Sequence, residues 1–424
     1  MGRQTAARGP AGIGERALAP DLARGFMLLF IVLANTVWYL WAVPTAGMGT
    51  AHPDAEGALD SAAQFFTVMA ADMRSYPMFA FLFGYGTVQL MRRQEAAGAS
   101  PSEASALLRR RNLWLLAFGL VHASLLFVGD ILGAYGLAGL LLGWLFLRRA
   151  DRTLRIWISV LLGFMTLLAL FSLLGAAFTP ADELADEGST VQIDALMGSF
   201  AESSYLAAAL ERTIAWPMVV VGQGLLSMSA PVAILLGFLA ARSRILEEPG
   251  HHLGLLRGVA AVGLTVGWLG GLPLALVQTG VWEMGEARAM MLIFPHVVTG
   301  LFCGVGYVAL ITLVAHRIQA RGTGPLAGAV AATGKRSLSA YLAQSLVCAP
   351  VLAAWGLGLG AHLTSWTMAL FAVGLWLATV VGCAALERAG LRGPAELLLR
   401  RLAYRDSGRP RAAPGRAAPP PPGT

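Results

Sequence analysis

The chain has 424 residues, 56% hydrophobic and 13% charged, and this composition excludes an ordinary water-soluble fold. Its formal charge of +7 would suit a nucleic-acid binder if the basic residues shared one polar domain. They lie instead between apolar stretches, where they set orientation and answer anionic lipid heads, so nucleic-acid binding is not implied.

Ten apolar stretches follow one another at 22–43, 64–90, 112–128, 131–147, 154–176, 214–241, 257–278, 290–315, 337–357 and 366–386. Each is near the ~20 residues that a bilayer core needs, and only a helix satisfies its own backbone over such a run in lipid. The expectation is an all-α polytopic membrane bundle of about ten transmembrane helices. Of the 31 Lys and Arg, 28 fall in alternate connecting segments (1–24, 91–111, 148–155, 242–257, 316–336 and 387–424). That bias places those segments and both termini in the cytoplasm, with the chain a multi-pass protein of a bacterial plasma membrane. Acidic residues such as Asp54, Glu56, Asp60, Asp182, Glu183, Glu283 and Glu286 collect on the other side.

Residues 1–15 read as a cytoplasmic leader and 16–405 as one membrane domain. The first apolar run, opening with Asp21 and Arg24, is too long for a cleavable signal core and is expected to be retained. Asn35 lies within it. The second stretch carries Asp72, Arg74 and Pro77, and a kink at the proline would free carbonyls for the arginine. A buried arginine needs a carboxylate or an anionic ligand, so Asp72 or Asp130 is its expected partner. Phe83-Gly84-Tyr85-Gly86 has no preceding strand and is a poor nucleotide loop.

The basic cluster Arg109-Arg110-Arg111 leads into the third stretch, which carries His122. Gly129-Asp130 makes the tight outer turn to the fourth. A carboxylate there could orient the imidazole as a general base or could cap the next helix, and the sequence favours neither. Gly139 and Gly143 would admit a close helix neighbour. The outer connection 177–213 is long enough for a short amphipathic helix across the outer mouth. Gln223, His296 and Gln344 are further polar residues within apolar runs, each a functional suspect because such groups are costly in lipid.

Gly334-Lys335-Arg336-Ser337 holds the chain's single lysine immediately before the ninth stretch. Amides at a helix start beside two cations suit a phosphate, although inside-positive charge explains them too. Residues 394–402 read as an amphipathic helix on the inner leaflet, and 406–424 as a disordered Pro/Arg/Ala-rich cytoplasmic tail. Cys303, Cys348 and Cys383 read as packing residues, with no metal site.

Several of these pieces, taken in order, resemble the YeiB-like bacterial family of multi-pass membrane proteins of unknown function. They are Asp21-Leu22-Ala23-Arg24-Gly25 with Asn35, Met78 through Gly86, Gly119-Leu120-Val121-His122, Gly129-Asp130-Ile131-Leu132 with Tyr135-Gly136, Gly334 through Leu338 with Tyr341 and Gln344, and Gly393-Pro394 with Glu396 and Arg400-Arg401. Pro20 and Ala340 depart from the family's usual residues. A wider resemblance is to transmembrane acyltransferases of the heparan-α-glucosaminide N-acetyltransferase type. It implies an acyl group taken from cytosolic acyl-CoA and an active histidine in the first outer loop, where this chain has His52.

Two functions follow as expectations. In an acyltransferase, Lys335, Arg336, Arg109, Arg110 and Arg111 would hold the phosphates of acyl-CoA, a donor substrate and not a tightly bound cofactor. His122, oriented by Asp130, or else His52, would deprotonate a small-molecule, lipid or glycan acceptor, while Arg74 or Asn35 stabilised the oxyanion. In a secondary transporter of a small anionic or amphipathic compound, Arg74 and His122 would be substrate and proton sites. No inverted repeat or matched pair of broken helices is visible to support that reading.

Overall fold

The structure, a computed structural model, describes residues 17–43, 45, 50–180 and 196–404. The leader 1–15, the tail 406–424 and most of the acidic part of the long outer connection lie outside the described residues. The named helices are α1 (Leu18–Thr36), α2 (Ala58–Ala70), α3 (Ser75–Ala96), α4 (Pro101–Leu125), α5 (Ile131–Phe146), α6 (Asp151–Phe178), α7 (Tyr205–Val221), α8 (Ser229–Arg242) and α9 (Leu253–Gln278). They continue as α10 (Glu286–Met290), α11 (Ile293–Arg321), α12 (Pro325–Lys335), α13 (Ser337–Leu352), α14 (Ser365–Arg388) and α15 (Pro394–Tyr404). Among the described residues the one β-type pairing is an isolated bridge from Thr45 to Pro53.

The chain is a helical membrane protein, but among the described residues the expected count of about ten spans is not confirmed. By length and composition five described segments qualify: Leu18–Tyr39, Asp151–Phe178, Pro249–Gln278, Glu286–Arg321 and Ser365–Arg388. A sixth joins Tyr205–Leu226 to Ser229–Arg242 across a 51° bend. The helices α5 and α13 are apolar but only 16 residues long. α3 and α4 are long enough, but Arg92, Arg93 and Glu95 on one and Arg109, Arg110 and Arg111 on the other dilute their apolar windows. α6 turns most of its surface outward, with Phe171 75% and Phe178 84% exposed, as a lipid-facing helix should.

Local chemistry explains the helix ends. Ser100 and Glu103 form a reciprocal capping box at the start of α4, with Pro101 in the first turn. The second apolar stretch is not one kinked helix. It breaks at 71–74 with Met73 at φ 56°, and Pro77 sits in the first turn of α3, where its missing N–H costs nothing. A second break separates α7 from α8 through the π-helical turn Gly222–Leu226 and Met228 at φ 54°. The Tyr76 hydroxyl donates to the Gln223 carbonyl in that turn, so the start of α3 satisfies backbone that the bulge leaves free.

The most extensive helix pairings are α9 with α11, α3 with α8, α4 with α5 and α1 with α12. At the crossing of α3 and α8, a Cβ on Gly84 would lie 2.4 Å from the Ile234 carbonyl oxygen, and one on Gly237 would lie 2.2 Å from that of Phe81. Only glycine fits there, because the obstacle is backbone. Of the glycine pair expected to favour close packing, Gly139 abuts Asn112 and Phe83, whereas Gly143 faces open space.

Candidate functional site

The outer ends of α4 and α5 are held together by one carboxylate. Asp130 Oδ2 accepts from the Gly133 N–H at 2.6 Å, capping α5, and Asp130 Oδ1 lies 2.8 Å from His122 Nδ1 on α4. Asp130 thus both caps α5 and contacts the imidazole. Gly119 allows this, since a Cβ there would fall 2.3 Å from Asp130 Oδ2. With Nδ1 donating to the carboxylate, His122 presents Nε2 as its acceptor, and that atom is buried without a partner. Arg212, fully buried, secures the same helix end by donating from Nε to the Ser124 carbonyl at 3.2 Å.

The His122 ring lies 5.0 Å from that of Tyr341 on α13. Tyr341 in turn borders two spaces. The smaller, of about 10 Å³, is lined by Asn35, Tyr39, Gln344, Ser345 and Cys348 among others, and could take about one water-sized group. The hydroxyl of Tyr39 and both amide atoms of Gln344 are buried there without partners, so the walls retain hydrogen-bonding capacity.

The larger space is a cavity of about 350 Å³. One wall is a single face of α3: Phe79, Leu82, Phe83, Gly86, Gln89, Leu90 and Arg93 recur at helical spacing. Phe79 to Arg93 spans about 21 Å of helix axis at ~1.5 Å per residue. The other walls come from α1, α4, α5, the α12–α13 junction and α15. Tyr135 stacks on Phe79 and Phe83 toward one end, Arg111 lies over the Phe83 ring, and Arg392 and Arg400 line the cavity with Arg93. The basic end belongs to segments that charge sorting assigns to the cytoplasm.

Of the expected phosphate-binding residues, Lys335, Arg336 and Arg111 line this cavity, whereas Arg109 is exposed and neither it nor Arg110 does. Arg336 is largely engaged already, through Glu387 at 2.6 Å, the Ala332 carbonyl at 3.1 Å and the Leu391 carbonyl at 3.2 Å. Lys335 is 2.7 Å from the same Glu387. The start of α13, read from sequence as a phosphate site, is occupied by Glu396, whose Oε1 accepts from the Leu338 and Ser339 N–H groups at 2.8 and 3.1 Å. Consequently α15 docks on α4 and α13 and walls the cavity, where amphipathicity alone suggested the leaflet.

Arg74 does not join the His122–Asp130 pair. It is fully buried and donates to the Asp72 carbonyl at 2.7 Å, the Gly267 carbonyl at 3.0 Å and His296 Nε2 at 2.5 Å. The Asp72 carboxylate instead lies 2.8 Å from Nε2 of His52, which is buried. No hydrogen bond or ion pair among the described residues links this outer cluster to His122, so of the two partners expected for Arg74 neither carboxylate is used and Asp130 stays with His122. The residues that sequence reasoning missed are Arg93, Arg392, Arg400, Glu387 and the walling role of α15. Their arginines look the same as those that merely orient a membrane protein, and only their convergence sets them apart.

Residues 240–406 match the family described as "Protein of unknown function (DUF418)". The chain is 27% identical over 367 residues to the uncharacterized protein YxaH of Bacillus subtilis (strain 168), covering 82% of this chain and 85% of that protein. It is 26% identical over 409 residues to the uncharacterized protein YeiB of Escherichia coli (strain K12), covering 93% and 98%. A third relative, an uncharacterized 39.9 kDa protein from the amylase 3' region of Bacillus acidopullulyticus, is 33% identical over 133 residues, covering 31% of this chain and 35% of its own length. The C-terminal part of the chain is thus similar to that family, and most of its length is similar to the uncharacterized proteins YxaH and YeiB.

Proposed function

We propose that this protein is a membrane-embedded acyltransferase of the plasma membrane that takes an acyl group from a donor entering at the basic cavity and passes it to a hydroxyl or amine acceptor. The observation that carries the reading is the His122–Asp130 pair, whose free Nε2 is one aromatic ring, Tyr341, away from an elongated basic-to-apolar cavity. As the acceptor oxygen or nitrogen attacks the thioester carbonyl, its proton passes to His122 Nε2 and Asp130 stabilises the imidazolium. Collapse of the tetrahedral intermediate breaks the C–S bond, and the thiolate takes the proton back from His122. Asn35 and Gln344, which border the small space beside Tyr341, are assigned as amide donors for the oxyanion. Arg74 is bonded through Nη1 and Nη2 to Asp72, Gly267 and His296 in the other polar cluster and is not assigned that part.

The test is single-turnover transfer from labelled palmitoyl-CoA or acetyl-CoA in proteoliposomes, with His122→Ala as the control. Label moving to a lipid or glycan fraction only with the unaltered protein supports the reading. Loss of label to water at equal rates with both proteins would sink it.

A second reading, secondary transport, draws on the two broken helices. Sequence inspection found none, yet both breaks place a methionine at positive φ, and the segments after them, α3 and α8, cross at Gly84 and Gly237. Broken helices meeting near the middle of a bundle are a common transporter device. Counterflow of an amphipathic anion in proteoliposomes, with no acyl donor present, would favour this reading over catalysis.

A further inference from the structure

Three carboxylates line the large cavity, and each is engaged. Asp21 lies 3.3 Å from Arg24, Glu387 bridges Lys335 and Arg336, and Glu396 caps α13. Four arginines on the same walls, Arg93, Arg111, Arg392 and Arg400, make no ion pair among the described residues. All four are half-buried, so each gives up hydration without receiving a counter-charge. Arg111 shows this most clearly: its Nη1 is buried without a partner, and its guanidinium lies 5.4 Å from the centre of the Phe83 ring. Guanidinium forks match the oxygens of phosphate, and several together favour a dianion or a diphosphate over a single carboxylate.

The opposite end of the cavity, at Phe79, Leu115, Leu132 and Tyr135, offers no charge. The length of the α3 face, about 21 Å from Arg93 to Phe79, exceeds what inorganic phosphate would fill. From this pairing of ends, we infer that the cavity binds a phosphate-bearing amphiphile, its phosphate on Arg93, Arg111, Arg392 and Arg400 and its apolar chain along α3 toward Tyr135 and Tyr341. The inference deepens the acyl-transfer reading by fixing the chemical class of molecule at the same cavity. That chemistry has two sources, a coenzyme A thioester from the cytosol or a polyprenyl phosphate from the inner leaflet.

The experiment measures binding to the full chain in nanodiscs, by calorimetry, with palmitoyl-CoA, undecaprenyl phosphate, palmitate and inorganic phosphate as probes. At least one of the two phosphate-bearing amphiphiles should bind at least about tenfold more tightly than palmitate or phosphate alone. Which of the two does so names the source. Arg93→Gln with Arg400→Gln should remove that advantage, and Arg109→Gln, exposed and outside the cavity, should not. Should the double variant fail to fold, raised salt on the unaltered protein replaces it, and must weaken the phosphate amphiphile more than palmitate. Palmitate binding as tightly as the better of the two phosphate amphiphiles, or an undiminished advantage in the folded double variant, overturns the inference. Tight palmitoyl-CoA binding without any acyl transfer sinks the acyl-transfer reading and leaves this one standing.

Discussion

His122 Nδ1 lies 2.8 Å from Asp130 Oδ1, and the other oxygen of that carboxylate holds the first turn of α5 through the Gly133 N–H. One side chain therefore fixes the imidazole tautomer and the helix hairpin that carries it. Removing the imidazole and removing the carboxylate should have separable consequences. We expect His122→Ala to lower transfer by about 10²–10⁴-fold, the range of general-base contributions, with little change in melting temperature. Asp130→Ala should lower transfer and also cost about 1 kcal/mol through the lost cap, read as a lower melting temperature. Equal stability of the two variants would argue against the shared role.

Arg74 is fully buried, and its guanidinium serves two carbonyls and His296. Arg74→Lys keeps the charge but cannot present a planar fork to three acceptors. We therefore expect Arg74→Lys and Arg74→Met both to destabilise by more than about 2 kcal/mol, since acceptors are left buried and unpaired. Thermal unfolding in detergent measures this, and a Lys variant that melts with the parent would show that charge alone suffices.

The crossing of α3 and α8 is limited by backbone at Gly84 and Gly237. Gly237→Ala should force the helices apart and cost about 1–3 kcal/mol, the usual penalty of overpacking. Gly143→Ala, with nothing within 4 Å, should be neutral or slightly stabilising. Comparing the two melts tests the packing, because both substitutions add the same methyl group to a helix.

Glu396 ties α15 to the start of α13 by two backbone N–H groups and the Ser339 hydroxyl. Glu396→Gln should loosen α15 at a cost of about 1 kcal/mol, the scale of a lost N-terminal carboxylate. Faster tryptic cleavage after Arg400 or Arg401 in inside-out vesicles is the expected sign. Unchanged cleavage would mean that Leu399 and Ala403, which are buried, suffice to hold the helix.

Charge sorting puts the α3–α4 turn in the cytoplasm and the α9–α10 turn outside. Single cysteines at Ala96 and Glu283, both exposed, should therefore react with an impermeant maleimide from opposite faces. Labelling of both from one face would reverse or break the assigned topology.

The linear chain by itself fixed the solvent and the class of fold, because hydropathy and charge placement act through each segment's own contact with lipid or water. It also picked out His122 with Asp130, since eight residues on one helical hairpin leave little freedom. Tertiary structure alone decided what depends on distances between helices far apart in sequence. The second stretch breaks at Met73 where it was expected to kink at Pro77, and Tyr76, just past the break, donates to the Gln223 carbonyl of the π turn. Arg74 turned to His296, 222 residues away, and left Asp130 to His122. Glu396 took the helix start that suited a phosphate, and Arg93, Arg392 and Arg400, indistinguishable from orienting charges along the chain, came to line one cavity. Burial is what separates these cases: a cation costs little at a leaflet surface, but inside a cavity it must find a partner, and which partner is near is set by packing.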